Sequence, residues 1–365
     1  MVARLSNLVP FALCLFSLTI LSSCKHATEP TTLPSEPDTT SHDFTWHIDT
    51  LGDGSSSQLL DVAIINDTSI WATGEIYLKD SLGQFENEPY GLATWNGSDW
   101  SLKKLYYREN GASGRLAFSN IRGLARLSSS EIWFTAGSIF RWDGTSDEVQ
   151  LIFSRLNFGA NEKSIEKIWA ASPSLMYAVG NGGVVMCYGG ASWQLLTGVT
   201  SLDLKDVWGS FDPTTLQTQV LAVAGNHYVG LDRKILSLTG NTVTALSDSG
   251  IGQPLSGVWF TPNQHYYTVG SGIFDKKNLL EPSWKGGSRK ITNNYTNKVR
   301  GNHVKDVFVC GAYGEILHYN GVDWRSYQSQ TQIRNGQYYA IAVKGDLVVA
   351  VGEEYPRAIV AIGRR

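Results

Sequence analysis

The stretch Val307-Phe308-Val309-Cys310-Gly311-Ala312-Tyr313-Gly314-Glu315-Ile316-Leu317-His318-Tyr319-Asn320-Gly321-Val322-Asp323-Trp324 carries the pattern that decides the fold. Val307 to Gly311 is apolar and rich in β-forming residues, and Ala312-Tyr313-Gly314 supplies a turn. Glu315 to Tyr319 alternates apolar and polar residues, as a strand with one buried face does. Asn320-Gly321 is a preferred pair for a type I′ hairpin, because both central positions need positive φ. The chain then returns antiparallel at Trp324. Three strands and two tight turns follow from these residues alone.

The unit recurs along the chain. Met176 to Gly180 leads through Asn181-Gly182-Gly183 to Val184 to Tyr188, Gly189-Gly190 and Trp193. Ile70 to Gly74 leads, after an insertion, to Leu92 to Trp95, Asn96-Gly97 and Trp100. Further copies begin at Ile132, Val220, Tyr266 and Leu347. A small residue ends the second strand each time, at Gly74, Ala136, Gly180, Gly225, Gly270, Gly311 and Gly352. Beyond the inserted first copy the spacing is roughly 41 to 45 residues, the period of propeller blades. A further strand precedes each unit, as in Leu60-Asp61-Val62 and Leu204-Lys205-Asp206-Val207-Trp208. Four strands per copy and seven copies predict an all-β, seven-bladed β-propeller of four-stranded antiparallel blades. The last copy lacks its fourth strand. Phe44-Thr45-Trp46-His47-Ile48 matches the missing pattern, so the N-terminal strand is expected to close the last blade, with the propeller spanning 43–365.

Composition narrows the function. The formal net charge is −3. Removing residues 1–23 takes away Arg4 and no acid, leaving 29 Lys and Arg against 33 acids, near −4. No basic stripe for nucleic acid is present in that balance. Leu8 to Leu21 is an apolar run behind Arg4, too short to span a bilayer comfortably. Residues 24–42 are rich in Pro, Thr and Ser and are expected to form a disordered tether. Cys187 and Cys310 fall in the third and sixth blades, too far apart for a disulfide, and read as small buried hydrophobes.

No metal-ligand spacing, nucleophile elbow or phosphate loop stands out, so no catalytic residue, metal or cofactor is expected. Asp61, Glu166 and Asp206 recur in first strands. Paired carboxylates serve glycoside hydrolysis, but a repeated acid at one blade position suits a structural role, accepting hydrogen bonds from neighbouring backbone. The tryptophans at 46, 100, 193 and 324 begin outer strands and are expected to cover the core between blades. Insertions break the repeat, and loops on a rigid scaffold are the usual recognition elements. Residues 75–91 and 106–117 lengthen loops expected to share one face. The candidate ligand-binding residues on that face are Tyr77, Phe85, Tyr90, Tyr107, Arg108, His227, Tyr228, Tyr313 and Tyr355. A basic link, Lys285 to Lys290, is expected between blades five and six.

Two resemblances add to this. Leu21-Ser22-Ser23-Cys24 resembles the bacterial lipobox, which implies a lipoprotein signal peptide over 1–23 and lipidation of Cys24. An ordinary secretory signal with an incidental cysteine is the alternative. Lys25 is not the aspartate that marks inner-membrane retention in some lipoproteins, so the outer membrane or cell surface is the implied address. Met176 to Val184 and Gly311 to Trp324 resemble the repeats of bacterial secreted propellers allied to sialidase-type BNR repeats and to photosystem II assembly factors. That resemblance implies the fold over residues 44–365. The Asp-box proper and the sialidase catalytic residues have no matching positions. The expected function is a lipid-anchored, monomeric, non-catalytic scaffold binding protein or glycan at the cell envelope, touching membrane only through Cys24. A polysaccharide-acting hydrolase or lyase with its site at the central channel is one alternative, and an accessory or assembly factor of an envelope complex is another.

Overall fold

The computed structural model describes residues 39–109, 111, 113–159, 162–197, 200–226, 230–287 and 291–365. The signal peptide, Cys24, the tether up to residue 38, His227 and Tyr228 lie outside the described residues.

Seven four-stranded antiparallel sheets form the seven blades, each built outward from an inner strand. The inner strands are Gln58–Asn66, Gly123–Arg126, Ser164–Ser172, Leu204–Asp212, Leu255–Thr261, Thr296–His303 and Gly336–Lys344. Blade seven takes its outer strand from the N-terminal side: Thr45–Leu51 pairs with the last strand, with Trp46 opposite Gly363 and Leu51 opposite Ala358. Residues ahead of it are also held in place. Thr40 N–H donates to Asn320 O at 3.0 Å, and buried Phe44 packs on Phe308. The chain therefore enters beside the Asn320-Gly321 turn of blade six. We call that face the lower one; the second-to-third-strand turns and the links between blades form the upper one.

The core is distributed among the seams. One apolar cluster lies between each pair of neighbouring blades, as between blades three and four, where Tyr177 and Val179 meet Leu204, Val207 and Leu236. Outer-strand tryptophans reinforce these seams. Trp193 packs on Trp133 of blade two at 5.9 Å, and Trp324 on Tyr267 of blade five at 6.4 Å. Trp100 Nε1 donates to Asp49 of blade seven at 2.9 Å. Cys187 and Cys310 are free and buried. The basic segment differs from expectation: Lys285–Gly287 pairs with Ile273, Phe274 and Asp275 as the outer strand of blade five.

The repeated small residue has a physical cause. Six inner strands carry a β-bulge at the same place, for example between Leu59 and Asp61, Ile165 and Lys167, and Thr296 and Lys298. The bulge brings inner-strand backbone over the small residue. A Cβ on Gly180 would stand 1.9 Å from Ser164 O, and one on Gly311 2.2 Å from Tyr295 O. Blade two has Ala136 instead, and its inner strand shows no bulge. Overpacking against backbone costs ~1–3 kcal/mol. Gly180→Ala should therefore lower stability by about 2–3 kcal/mol in urea denaturation, whereas Ala136→Gly should cost only about 0.5–1 kcal/mol. Equal effects of the two changes would refute the bulge as the reason for the pattern.

Candidate functional site: the upper face and the channel mouth

Each bulge leaves one inner-strand residue unpaired, and bulges re-aim side chains. Those residues are Leu60, Glu166, Lys205, Ser256, Asn297 and Tyr339. With Arg122 of blade two they supply one residue per blade to the wall of a cavity of about 460 Å³ at the upper mouth of the channel. The signal was present in the sequence as an offset. Leu60, Arg122, Glu166, Ser256 and Asn297 each stand fourteen residues ahead of the small residue of their blade.

Ion pairs floor this cavity. Lys167 Nζ reaches across from blade three, donating to Leu60 O at 2.8 Å and to Arg122 O, and lies 3.6 Å from Asp61. Buried Asp206 of blade four accepts from Lys298 Nζ at 2.9 Å and from both terminal nitrogens of Arg300 at 2.9 and 3.0 Å. Below lies a second cavity of about 280 Å³, lined in part by Trp169, Trp208 and Arg300. Burial pushes the Lys167 ammonium down to about 8, against the opposing pull of Asp61. Burial would raise the Asp206 carboxyl, but Arg300 and Lys298 overcome it and hold the group well below the usual carboxylate range.

The recurring acids do structural work. Asp61 accepts from Leu124 N–H of blade two at 3.1 Å, and Asp206 from Val258 N–H of blade five at 3.1 Å, so each links its blade to the next. Glu166 is not their equivalent, because the bulge shifts it by one position. It lies at the mouth, accepting from Arg122 at 3.0 Å, Ser164 at 2.5 Å and Asn181 at 3.2 Å.

The expected site residues fall into two groups. Tyr77, Phe85, Tyr313 and Tyr355 follow an arc over blades six, seven and one. Tyr313 N–H donates to Gly336 O and Tyr355 N–H to Asn335 O, which places both tyrosines beside the same link. Pro356 O accepts from Ser57 N–H, and the Ser57 hydroxyl accepts from Tyr77 N–H, carrying the arc into the 75–91 insertion. There Asp80 and Gln84 close a small turn, and Lys79 lies 5.1 Å from the Phe85 ring centroid. Phe85, Tyr313 and Tyr355 are 41, 57 and 58% exposed. Tyr90 belongs to the base of the insertion, where its hydroxyl meets Glu86 at 3.3 Å and Lys104 covers its ring.

Tyr107 and Arg108 lie elsewhere. Leu105–Tyr107 and Leu116–Phe118 form a hairpin, and Tyr106 bridges in parallel to Glu148 beside the outer strand of blade two. Leu105 and Phe118 join the cluster that holds Leu92 of blade one and Phe140 of blade two, so the hairpin is wedged into that seam. Tyr107 packs on Phe118 and Phe140, and Arg108 pairs with Glu148 at 2.9 Å. The base of the second insertion is therefore buried in the seam. It stays beside the first insertion, since the Tyr106 hydroxyl donates to Glu88 at 2.8 Å, and Arg108 and Leu116 remain exposed.

Comparison with known proteins agrees with this architecture. No protein-family model matches the sequence, and no curated protein does. Among solved structures, YCF48 bound to a D1 peptide aligns at 15% identity and TM-score 0.59, covering 88% of this chain and 97% of that one. A catalytically inactive virginiamycin B lyase from Staphylococcus aureus with quinupristin aligns at 11% identity and TM-score 0.62, covering 88% and 100%. The WD40 β-propeller domain of Doa1 aligns at 10% identity and TM-score 0.58, covering 87% and 95%. At these identities the likeness is one of fold: the chain is a seven-bladed β-propeller.

The Asp206 network yields a signed pH dependence. The folded carboxyl titrates below the unfolded value of about 3.9, so its contribution is complete above that pH and is lost as pH falls toward the folded value. Asp206→Asn leaves Lys298 and Arg300 uncompensated and should cost about 3–5 kcal/mol at pH 7. In urea denaturation the gap to wild type should narrow below pH ~4. A pH-independent gap would remove Asp206 from the network.

Proposed function

We propose that this protein is a non-catalytic binding scaffold of the bacterial cell envelope, anchored through lipid on Cys24, whose upper face holds a protein partner. The observation that carries the proposal is the arc of exposed Phe85, Tyr313 and Tyr355 beside the ring of bulged residues, all on one rigid face. Aromatic side chains with a few charges are the usual anchors of protein recognition. The first described residues lie on the lower face, opposite the arc, where Thr40 N–H donates to Asn320 O. Two propellers of similar fold carry a D1 peptide and quinupristin, which supports ligand binding as a use of this architecture. Rigidity suits the role, since a preformed surface loses little freedom on binding.

The test uses the full chain in its native host. Cys24→Ala should move the protein from the membrane fraction to the soluble one. Replacing residues 79–87 by Gly-Gly preserves the buried Ile76 and its partner Tyr90. This variant should keep the wild-type melting temperature and lose the partner cross-linked to wild type through a photoreactive residue at position 355. Unchanged fractionation of the Cys24 variant would refute the anchor. Unchanged cross-linking by the shortened variant would refute the arc as the binding surface.

A further inference from the structure

The seam between blades one and two is open where the comparable seams are plugged. In the lower half of five blades, an aromatic residue of the second strand stands in a cross-strand row with one residue each of the third and outer strands, both polar except for Cys187. The rows are Trp71-Thr94-Ser101, Trp133-Arg141-Gln150, Tyr177-Cys187-Gln194, Tyr267-Asp275-Lys285 and Phe308-His318-Arg325. The following blade covers four of them. Tyr188 and Trp193 pack on Trp133. Tyr177 donates to Gly240 O at 3.0 Å, and Asn241 bridges Cys187 and Gln194. Tyr267 donates to Val304 O at 3.3 Å. His42 and Phe44 seal the row of blade six.

The row of blade one meets the ring of Trp142, 5.8 Å from Trp71 and inclined at 50°, and the Arg126 guanidinium, 5.5 Å from the Trp71 ring centroid. Among the described residues no hydrogen bond from blade two reaches the Thr94 or Ser101 hydroxyl. The cause lies above: the 105–118 hairpin fills the upper half of this seam, and the strands of blade two are only four residues long. What remains is a cleft of about 620 Å³, within the usual range for small-ligand sites.

We infer that this cleft binds a neutral carbohydrate. Its apolar wall is the half-buried Trp71, with Trp142, itself only 3% exposed, behind it and Trp95 at the edge. Indole faces suit the C–H face of a pyranose ring, since they offer a large, rigid, amphipathic surface. Thr94 and Ser101 provide hydroxyls that both donate and accept, matching the hydroxyl rim of a sugar. No carboxylate lines the cleft, which removes a cationic ligand. Among the lining residues the one cation, Lys103, already donates to Thr145 O at 2.8 Å and lies over Trp142, while Arg126 and Arg364 lie over the Trp71 and Trp95 rings without lining the cleft. The site is on the lower side of the molecule and does not depend on the upper arc.

Calorimetric titration of the full chain with maltotriose, cellotriose, mannotriose and chitotriose tests this. At least one trisaccharide should bind saturably at millimolar or lower concentration. Thr94→Trp and Ser101→Tyr fill the cleft from a half-buried and an exposed position and should each weaken binding about tenfold or more, with unchanged melting temperature. Replacing residues 79–87 by Gly-Gly should leave the affinity unchanged, which separates this site from the upper arc. The inference falls if none of the four sugars binds or if both filled variants bind like wild type. It falls equally if the 79–87 replacement abolishes binding.

Discussion

The antiparallel pairing of Thr45–Leu51 with Arg357–Arg364 is the constraint on which the ring depends. Every blade buries its apolar face against the next, so the core exists only as a circle of seams. An open ring would leave two such faces and two raw strand edges in water. Joining the two ends of the chain in one sheet turns the last seam into an ordinary one. Phe44 and Trp46 then pack on Tyr327 of the link that follows blade six, tying the closing strand to its neighbour as well as to its own blade.

Within the ring, one backbone irregularity does two things. The bulge brings inner-strand backbone over the small residue in five blades, Gly225 being crowded instead by Leu255 of the next blade, and in all six bulged blades it frees one side chain to face the channel mouth. The residue after the bulge faces the channel too, and there Lys167 pairs with Asp61 and Lys298 with Asp206, between the upper and lower cavities. A buried pair of this kind adds little net stability but strongly penalises its own disruption. It holds blades three, four and six against blades one and five, and so keeps the mouth rigid. A scaffold whose face does not deform can present the arc of Phe85, Tyr313 and Tyr355 at little entropic cost.

Local chemistry made the architecture legible. Asn96-Gly97 and Asn320-Gly321 mark turns between strands. Each loop has four residues and only its glycine takes positive φ, so the turn at Asn320-Gly321 is not the type I′ pair expected. The apolar runs before Gly180 and Gly311 need no partner to be recognised as strands. The closing strand was visible because Trp46 stands where Trp193 and Trp324 stand in their copies. The bulge was not visible, since register belongs to a pair of strands and not to either one. Hence the strand pattern alone aligns Glu166 with Asp61 and Asp206, although it is offset by a residue. The length of the 106–117 link showed that something was inserted, but not where it would fold. Burial of Leu105 and Phe118 decides that, and it draws Tyr107 into the seam while Arg108 stays on the surface against Glu148. Lys285 failed for a related reason: a charged, glycine-rich segment such as Lys285–Gly287 has weak β-propensity, and only the open edge of blade five makes it a strand.

Closure of the ring is open to direct measurement by native-state amide hydrogen exchange, resolved to individual segments. Amides of Thr45–Leu51 that are bonded within blade seven should exchange only through global unfolding, with the same protection as those of Val348–Val351 in the same sheet. Rapid, independent exchange of the 45–51 segment, with the rest of blade seven still protected, would show that the amino-terminal strand is an appendage and that the ring is held by other means.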